Sequence, residues 1–206
     1  MSRKEMMEAR SRFDSLMLLV KKLKGPEKND STTKYLYESL SLAQQLNNDT
    51  MLARVYRNLG WYFDDIAEYN LEVDFLYKAF EGCQKMQNYE GCASALNDIA
   101  WAYIQAYDYK NGIEQALRGI EMAKKKTKTE NQSRITSYLC SNLAIAYLEC
   151  NMPDSALKYN ELSYSTFYNF KPYNYNHYSW VFAQFGNIYA YKKDYIEAEK
   201  CFKKVM

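Results

Sequence analysis

Apolar residues recur along this chain at intervals of three and four, the spacing that lays a stripe along one face of an α-helix. Phe13, Leu16, Leu19, Val20 and Leu23 predict a first helix over 3–24, closed by Lys24-Gly25-Pro26. A polar connection over 27–32 follows, with Asp30 or Ser31 as N-cap of a second helix that runs to about Leu46. Leu36, Leu40, Leu42, Ala43 and Leu46 form its buried face, and Asp49 or Thr50 caps the helix after it. Four helix pairs are then predicted. Their first helices cover 50–66, 90–106, 133–150 and 175–192; their second helices cover 69–87, 109–126, 153–168 and 195–206. Tyr173–Tyr178 alternates like a strand, but it follows Pro172 and has no partner run, so it reads as a loop.

The pattern repeats. Tyr56–Phe63 reads Y-R-N-L-G-W-Y-F, and its frame returns at Leu96–Tyr103, Cys140–Tyr147 and Phe182–Tyr189. Each copy places an apolar residue, a second one three later, Gly or Ala at once, and an aromatic three further on. The small residues are Gly60, Ala100, Ala144 and Gly186, at spacings of 40, 44 and 42. A small residue lets the next helix approach closely, and the flanking aromatics fill the space beside it. The second helices open on Glu68-Tyr69, Asp108-Tyr109, Met152-Pro153 and Asp194-Tyr195. An acid there suits the positive helix end, and Pro153 lacks only an N–H that has no intrahelical acceptor. One hairpin cannot bury its apolar face alone, so neighbours must stack.

Composition narrows the class further. Apolar residues make up 48% of 206, and only 7 Gly and 3 Pro occur, which opposes both disorder and a turn-dense β fold. The net charge of +2 gives no bulk case for nucleic acid or membrane binding. Lys124–Lys128 reads as a solvated helix end. Five cysteines leave one unpaired and show no metal-ligand spacing; they read as reduced, small apolar residues, which points to the cytoplasm. No signal peptide or membrane span is visible in the sequence.

The order apolar–xx–Leu-Gly–xx–aromatic, then Asp-Tyr, then Ala–xxx–Phe–xx–small resembles the tetratricopeptide repeat. The last copy carries it most fully, with Phe182, Phe185-Gly186, Tyr189, Asp194-Tyr195, Ala198, Phe202 and Val205. In the copy from Ala53, Glu72 stands where the pattern wants Ala. The resemblance implies an all-α, right-handed superhelical solenoid of antiparallel hairpins with about ten helices. It spans 1–206 as a single array: a degenerate leading pair in 1–48 and repeats at 50–87, 90–126, 133–168 and 175–206. The period exceeds the family's usual length of about 34 residues, as in elongated repeats of bacterial signalling and regulatory proteins.

No catalytic, metal or cofactor site emerges. His177 stands alone in a Tyr/Asn-rich stretch, and no phosphate-loop, zinc or calcium pattern occurs. In the family, first helices line a concave groove. Counting from each small residue places Arg54, Arg57 and Trp61 on that stripe, then Asn97 and Trp101, Tyr138 and Ser141, and Trp180 and Asn187, so all three tryptophans fall on it. Such a surface suits an extended or helical peptide, with aromatic contact area and Arg or Asn hydrogen bonds; large residues where first helices touch would serve packing equally. The expected role is a non-enzymatic protein- or peptide-binding scaffold. The alternative is a sensory or regulatory segment of a longer protein. In 195–206, Ala198, Phe202, Val205 and Met206 are expected to face a missing neighbour, either a further helix or a second copy forming a homo-oligomer.

Overall fold

The computed structural model describes residues 1–23, 29–125, 129–168 and 175–205. Among them are ten helices: α1 Arg3–Lys22, α2 Asn29–Gln45, α3 Asp49–Asp65, α4 Tyr69–Lys85, α5 Tyr89–Gln105, α6 Tyr109–Ala123, α7 Glu130–Glu149, α8 Pro153–Tyr168, α9 Tyr175–Tyr191 and α10 Tyr195–Lys203. No strand occurs among the described residues. The fold is an all-α helical repeat, and its helix boundaries lie close to those the periodicity predicts. The chain divides into two compact units, Met1–Ala95 and Leu96–Met206.

In the first unit α1 packs on α2, α2 on α3 and α3 on α4. Its core gathers Phe13 and Met17 of α1, Leu36 and Ala43 of α2, and Val55, Leu59, Tyr62 and Phe63 of α3. Leu19, expected on the buried stripe of α1, is exposed, and Met17 takes the inward position. Tyr56 and Phe63 both stack on Phe75 of α4, with centroids 6.2 and 5.4 Å apart. Gly60 has Leu76 against it so closely that a Cβ would lie 2.6 Å from Leu76 Cδ2. In return, Gly82 of α4 faces Ala53 of α3. The recurring small residues thus do set helix approach within a hairpin.

In the second unit α6 packs on α7, α7 on α8, α8 on α9, and α9 on α10. Gly112 of α6 lies against Ala100 and Ile104 of α5, and Gly119 against Leu139 of α7. Phe202 of α10 covers Gly186 of α9, and Val205 packs on the cluster of Val181, Phe182 and Phe185. Both residues contact α9, while Phe202 stays exposed and Val205 half-buried. Met206 lies outside the described residues.

Six of the connections share one geometry. Asn47, Ala67, Gln87, Tyr107, Asn151 and Lys193 all have positive φ, between 44° and 62°. At each, the residue's N–H donates to the carbonyl three back, and the next residue's N–H donates five back, as in Ala67 N→Asp64 O and Glu68 N→Phe63 O. This is the Schellman closure, which satisfies the helix's last carbonyls and turns the chain at once. Two helices of 17 residues, each followed by such a three-residue turn, account for the 40-residue spacing between Gly60 and Ala100.

No glycine occupies any of the six positions. Asn tolerates the left-handed region, whereas Ala pays for its Cβ there. Ala67→Gly is expected to raise stability by about 0.5–1 kcal/mol, and Asn47→Gly to change it little. Urea midpoints of the two variants against the parent chain check this.

The helix starts use local capping. Asn48, rather than Asp49 or Thr50, caps α3 by accepting from Met51 N at 3.0 Å. Asp108 and Asp194 cap α6 and α10 through the N–H of Asn111 and Glu197, whereas Glu68 makes no side-chain cap bond. Asp30 and Ser31 fall inside α2, which begins at Asn29. Lys24-Gly25-Pro26, Tyr173 and Asn174 lie outside the described residues; Tyr175–Tyr178 opens α9 instead of forming a loop.

Candidate functional site

In the first unit Arg54, Arg57 and Trp61 lie on successive turns of α3 and line one cavity of about 720 Å³. Asp65, a turn further on, lines it too. Met17, Val20 and Lys21 of α1 with Leu23 just after it, and Ala79 and Cys83 of α4 with Met86, Asn88 and Gly91 after it, also line it. Met17, Ala53, Ala79 and Cys83 are buried and form an apolar floor, while Lys21, Arg54 and Trp61 are exposed at its edge.

The Arg57 guanidinium sits 4.6 Å from the centroid of the Trp61 ring. The contact holds a planar cation over an indole that is 44% exposed. Arg54 reaches back to α1, with Nη1 3.5 Å from Asp14 Oδ1 and its guanidinium 5.7 Å from the Phe13 ring centroid. Burial raises the pKa of the Cys83 thiol, and the nearby Arg57 charge opposes that rise. Thr32 of α2, 3% exposed, also lines the cavity, and its Oγ1 has no hydrogen-bond partner among the described residues. The stripe rule finds the α3 residues. It misses the walls from α1, α2, α4 and α5, because those residues have no fixed offset from the repeated small position.

In the second unit the other stripe residues engage one another or the core. Trp101 of α5 meets Trp180 of α9 edge-on, with centroids 6.1 Å apart. Asn97 accepts from Asn142 Nδ2 of α7 through both its backbone oxygen and its Oδ1, at 3.3 and 3.2 Å. Ser141 is buried, with its Oγ 3.1 Å from Ser163 Oγ. Tyr138 lies edge-on to His177 at 4.5 Å. Asn187 is exposed and, with Gln184 and Ile145, lines a cavity of only about 70 Å³.

His177 is 5% exposed, inside the first turns of α9. Phe167 covers it at 4.5 Å from one side, and its Nε2 is 2.8 Å from Ser137 Oγ. Ser137 Oγ also lies 2.9 Å from Ser163 O, and Ser163 Oγ donates to Ser137 O at 2.9 Å. A hydroxyl has one proton to give. If Ser137 donates it to the Ser163 carbonyl, Nε2–H of a neutral imidazole donates to Ser137. Burial lowers the His177 pKa to about 4, which keeps that ring neutral. The pair has the reach of a nucleophile and base, but its polar atoms are spent on joining α7, α8 and α9.

Among the described residues there is no group of three or more His, Cys, Asp or Glu able to hold a metal ion. No described helix is long and apolar enough to cross a membrane.

Stacked antiparallel hairpins, with small residues at each helix contact, define a tetratricopeptide-like repeat fold. Solved structures bear this out. The chain is similar to the crystal structure of BtubC (BKLC) from P. vanneervenii, at 14% identity and a TM-score of 0.67, over 98% of this chain and 88% of that one. It is also similar to a putative kinesin light chain of Podosopora anserina with nearly identical TPR-like repeats. The Q17M form of that protein aligns at 12% identity and a TM-score of 0.67, over 96% and 92% of the two chains. A second structure of it aligns at 12% identity and 0.65, over 96% and 93%. No protein-family model matches the sequence, and no curated protein matches it significantly.

Proposed function

We propose that this chain is a non-enzymatic interaction module that binds a protein or peptide segment in the cavity of its first unit. The observation that carries the reading is the roughly 720 Å³ cavity on the α3 stripe, bordered by an exposed Trp61 with Arg57 over its ring. Its size is in the range of binding clefts. Trp and Arg are the side chains most enriched where binding energy concentrates. Arg54, Arg57 and Trp61 are the residues assigned to contact the ligand. Asn97, Trp101, Tyr138, Ser141, Trp180 and Asn187 are assigned to a secondary role, since most of them spend contacts within the second unit.

The test is a peptide-display selection on the parent chain and on Trp61→Ala. Trp61 lies at the surface, so its removal leaves helical ellipticity and melting temperature nearly unchanged. Capture of the selected peptides is expected to fall at least tenfold, in line with about 1.4 kcal/mol or more from one aromatic anchor. Full capture by a folded Trp61→Ala chain rejects the assignment.

A further inference from the structure

The outer side of α10 carries charged and apolar groups in an order that complements itself when reversed. The helix packs on α9, and its Ala198 and Cys201 are buried. Away from them, Tyr195 and Ile196 are 68% and 70% exposed, and Phe202 is 38% exposed although its ring covers Gly186. Residues two helical turns apart share a side, so Tyr195 stands on that of Phe202, and Ile196 on that of Lys203. Charge divides the helix at one point. Asp194, Glu197 and Glu199 lie before it, and Lys200, Lys203 and Lys204 lie after it. Within the helix, Lys200 Nζ is 2.5 Å from Glu197 Oε1, and Lys203 Nζ is 2.6 Å from Glu199 Oε1. Both pairs are largely exposed and screened by solvent, so they add little to one copy and exchange readily for pairs between copies. Lys204 stays over the Phe182 ring, at 4.5 Å, so that exchange falls to the other four.

We infer that the outer side of α10 docks a second copy of this chain, with the two α10 helices antiparallel about a two-fold axis near Glu199 and Lys200. Each residue of the front half then meets the rear half of the other copy, and the reverse, as an isologous interface requires. Glu197 and Glu199 oppose Lys200 and Lys203, while Tyr195 and Ile196 oppose Phe202, on both sides of the axis. A parallel pair would set acid on acid and base on base. The antiparallel pair also brings opposite helix ends together, which the helix dipoles favour. The three apolar side chains supply burial, and the order of charge supplies orientation. A face built on nine helical residues is small for an interface, so the dimer is weak and forms as concentration rises.

Sedimentation velocity of the whole chain, from about 10 to about 500 µM, tests this. The weight-average mass is expected to climb towards that of a dimer across the range. Two charge variants then decide the geometry. Glu197→Lys with Glu199→Lys makes the outer side basic, and Lys200→Glu with Lys203→Glu makes it acidic. Each alone is expected to self-associate at least tenfold more weakly than the parent, and their equimolar mixture to regain the parent's association. Ile196→Ser, at an exposed position, is expected to weaken the dimer about tenfold at an unchanged melting temperature. It serves if a charge variant unsettles α10. A parent chain that stays monomeric to the highest concentration overturns the inference and leaves this side to a different occupant. So does a dimer that Ile196→Ser fails to weaken, or a mixture of folded charge variants that associates no better than each alone.

Discussion

Lowering the pH from 7 to 5 is expected to weaken the second unit well before its carboxylates titrate fully. His177 is buried under Tyr138 and Phe167, with its pKa lowered from the ordinary 6.5 to about 4. Between those two values the unfolded chain binds a proton that the folded chain refuses. Stability is therefore whole above about pH 6.5 and is lost as the pH falls towards 4. A gap of this size corresponds to roughly 3 kcal/mol in full, of which about 2 kcal/mol is gone by pH 5. The added proton goes onto a ring whose other nitrogen already engages Ser137 and whose faces are aromatic. Urea unfolding followed by ellipticity at pH 7, 6 and 5 measures the slope. His177→Gln loses packing and is less stable at pH 7, but its stability should vary little between pH 7 and 5. A parent chain as flat as the variant over that range rejects the account.

The two glycines of the repeat frame are expected to respond unequally to the same substitution. Alanine at Gly60 puts a methyl 2.6 Å from Leu76 Cδ2 and 2.7 Å from its Cγ, and Leu76 is 0% exposed with no room to yield. Overpacking of that kind costs about 1–3 kcal/mol, against roughly 1 kcal/mol gained from the better helix former. Gly60→Ala is therefore expected to lose about 1–2 kcal/mol. At Gly186 the new methyl runs into the Phe202 ring, but that ring is 38% exposed and can swing outward. Gly186→Ala should stay within about 1 kcal/mol of the parent. Thermal and urea unfolding of both variants check the order. Adding Leu76→Val to Gly60→Ala should restore part of the loss, since the two side chains share one space. Equal effects at the two glycines contradict the packing account.

Much of this fold was legible because its periodic features have one cause. Helix approach needs Gly60, Ala100, Ala144 and Gly186, and the stack needs them at every hairpin, so the requirement is written repeatedly in the chain. The turns left no such trace. Their left-handed residues include Ala67, Gln87, Tyr107 and Lys193, which carry no left-handed preference; tertiary packing of the paired helices holds them there. Leu19 and Met17 show the same limit on a smaller scale, since both fit a helical stripe and only the neighbours of α1 decide between them. His177 looked like a loop residue because Pro172 and a run of Tyr and Asn precede the helix start. For the candidate site, a stripe rule assigns a face of one helix and cannot tell what reaches it from another. It placed Trp101 and Trp180 on equivalent faces, but their contact depends on how α5 and α9 are spaced.

That contact has an optical consequence. The chain has three tryptophans. Trp61 is confined to the first unit, beneath a cation, while Trp101 and Trp180 form an edge-on indole pair in the second. Replacing Trp61 by Phe leaves a tryptophan emission, excited selectively past the tyrosine band, that arises from the second unit alone. Replacing the other two leaves a single fluorophore at the mouth of the cavity. Each unit thus comes with its own intrinsic spectroscopic label, so their melting can be followed separately and ligand arrival can be watched without an attached dye.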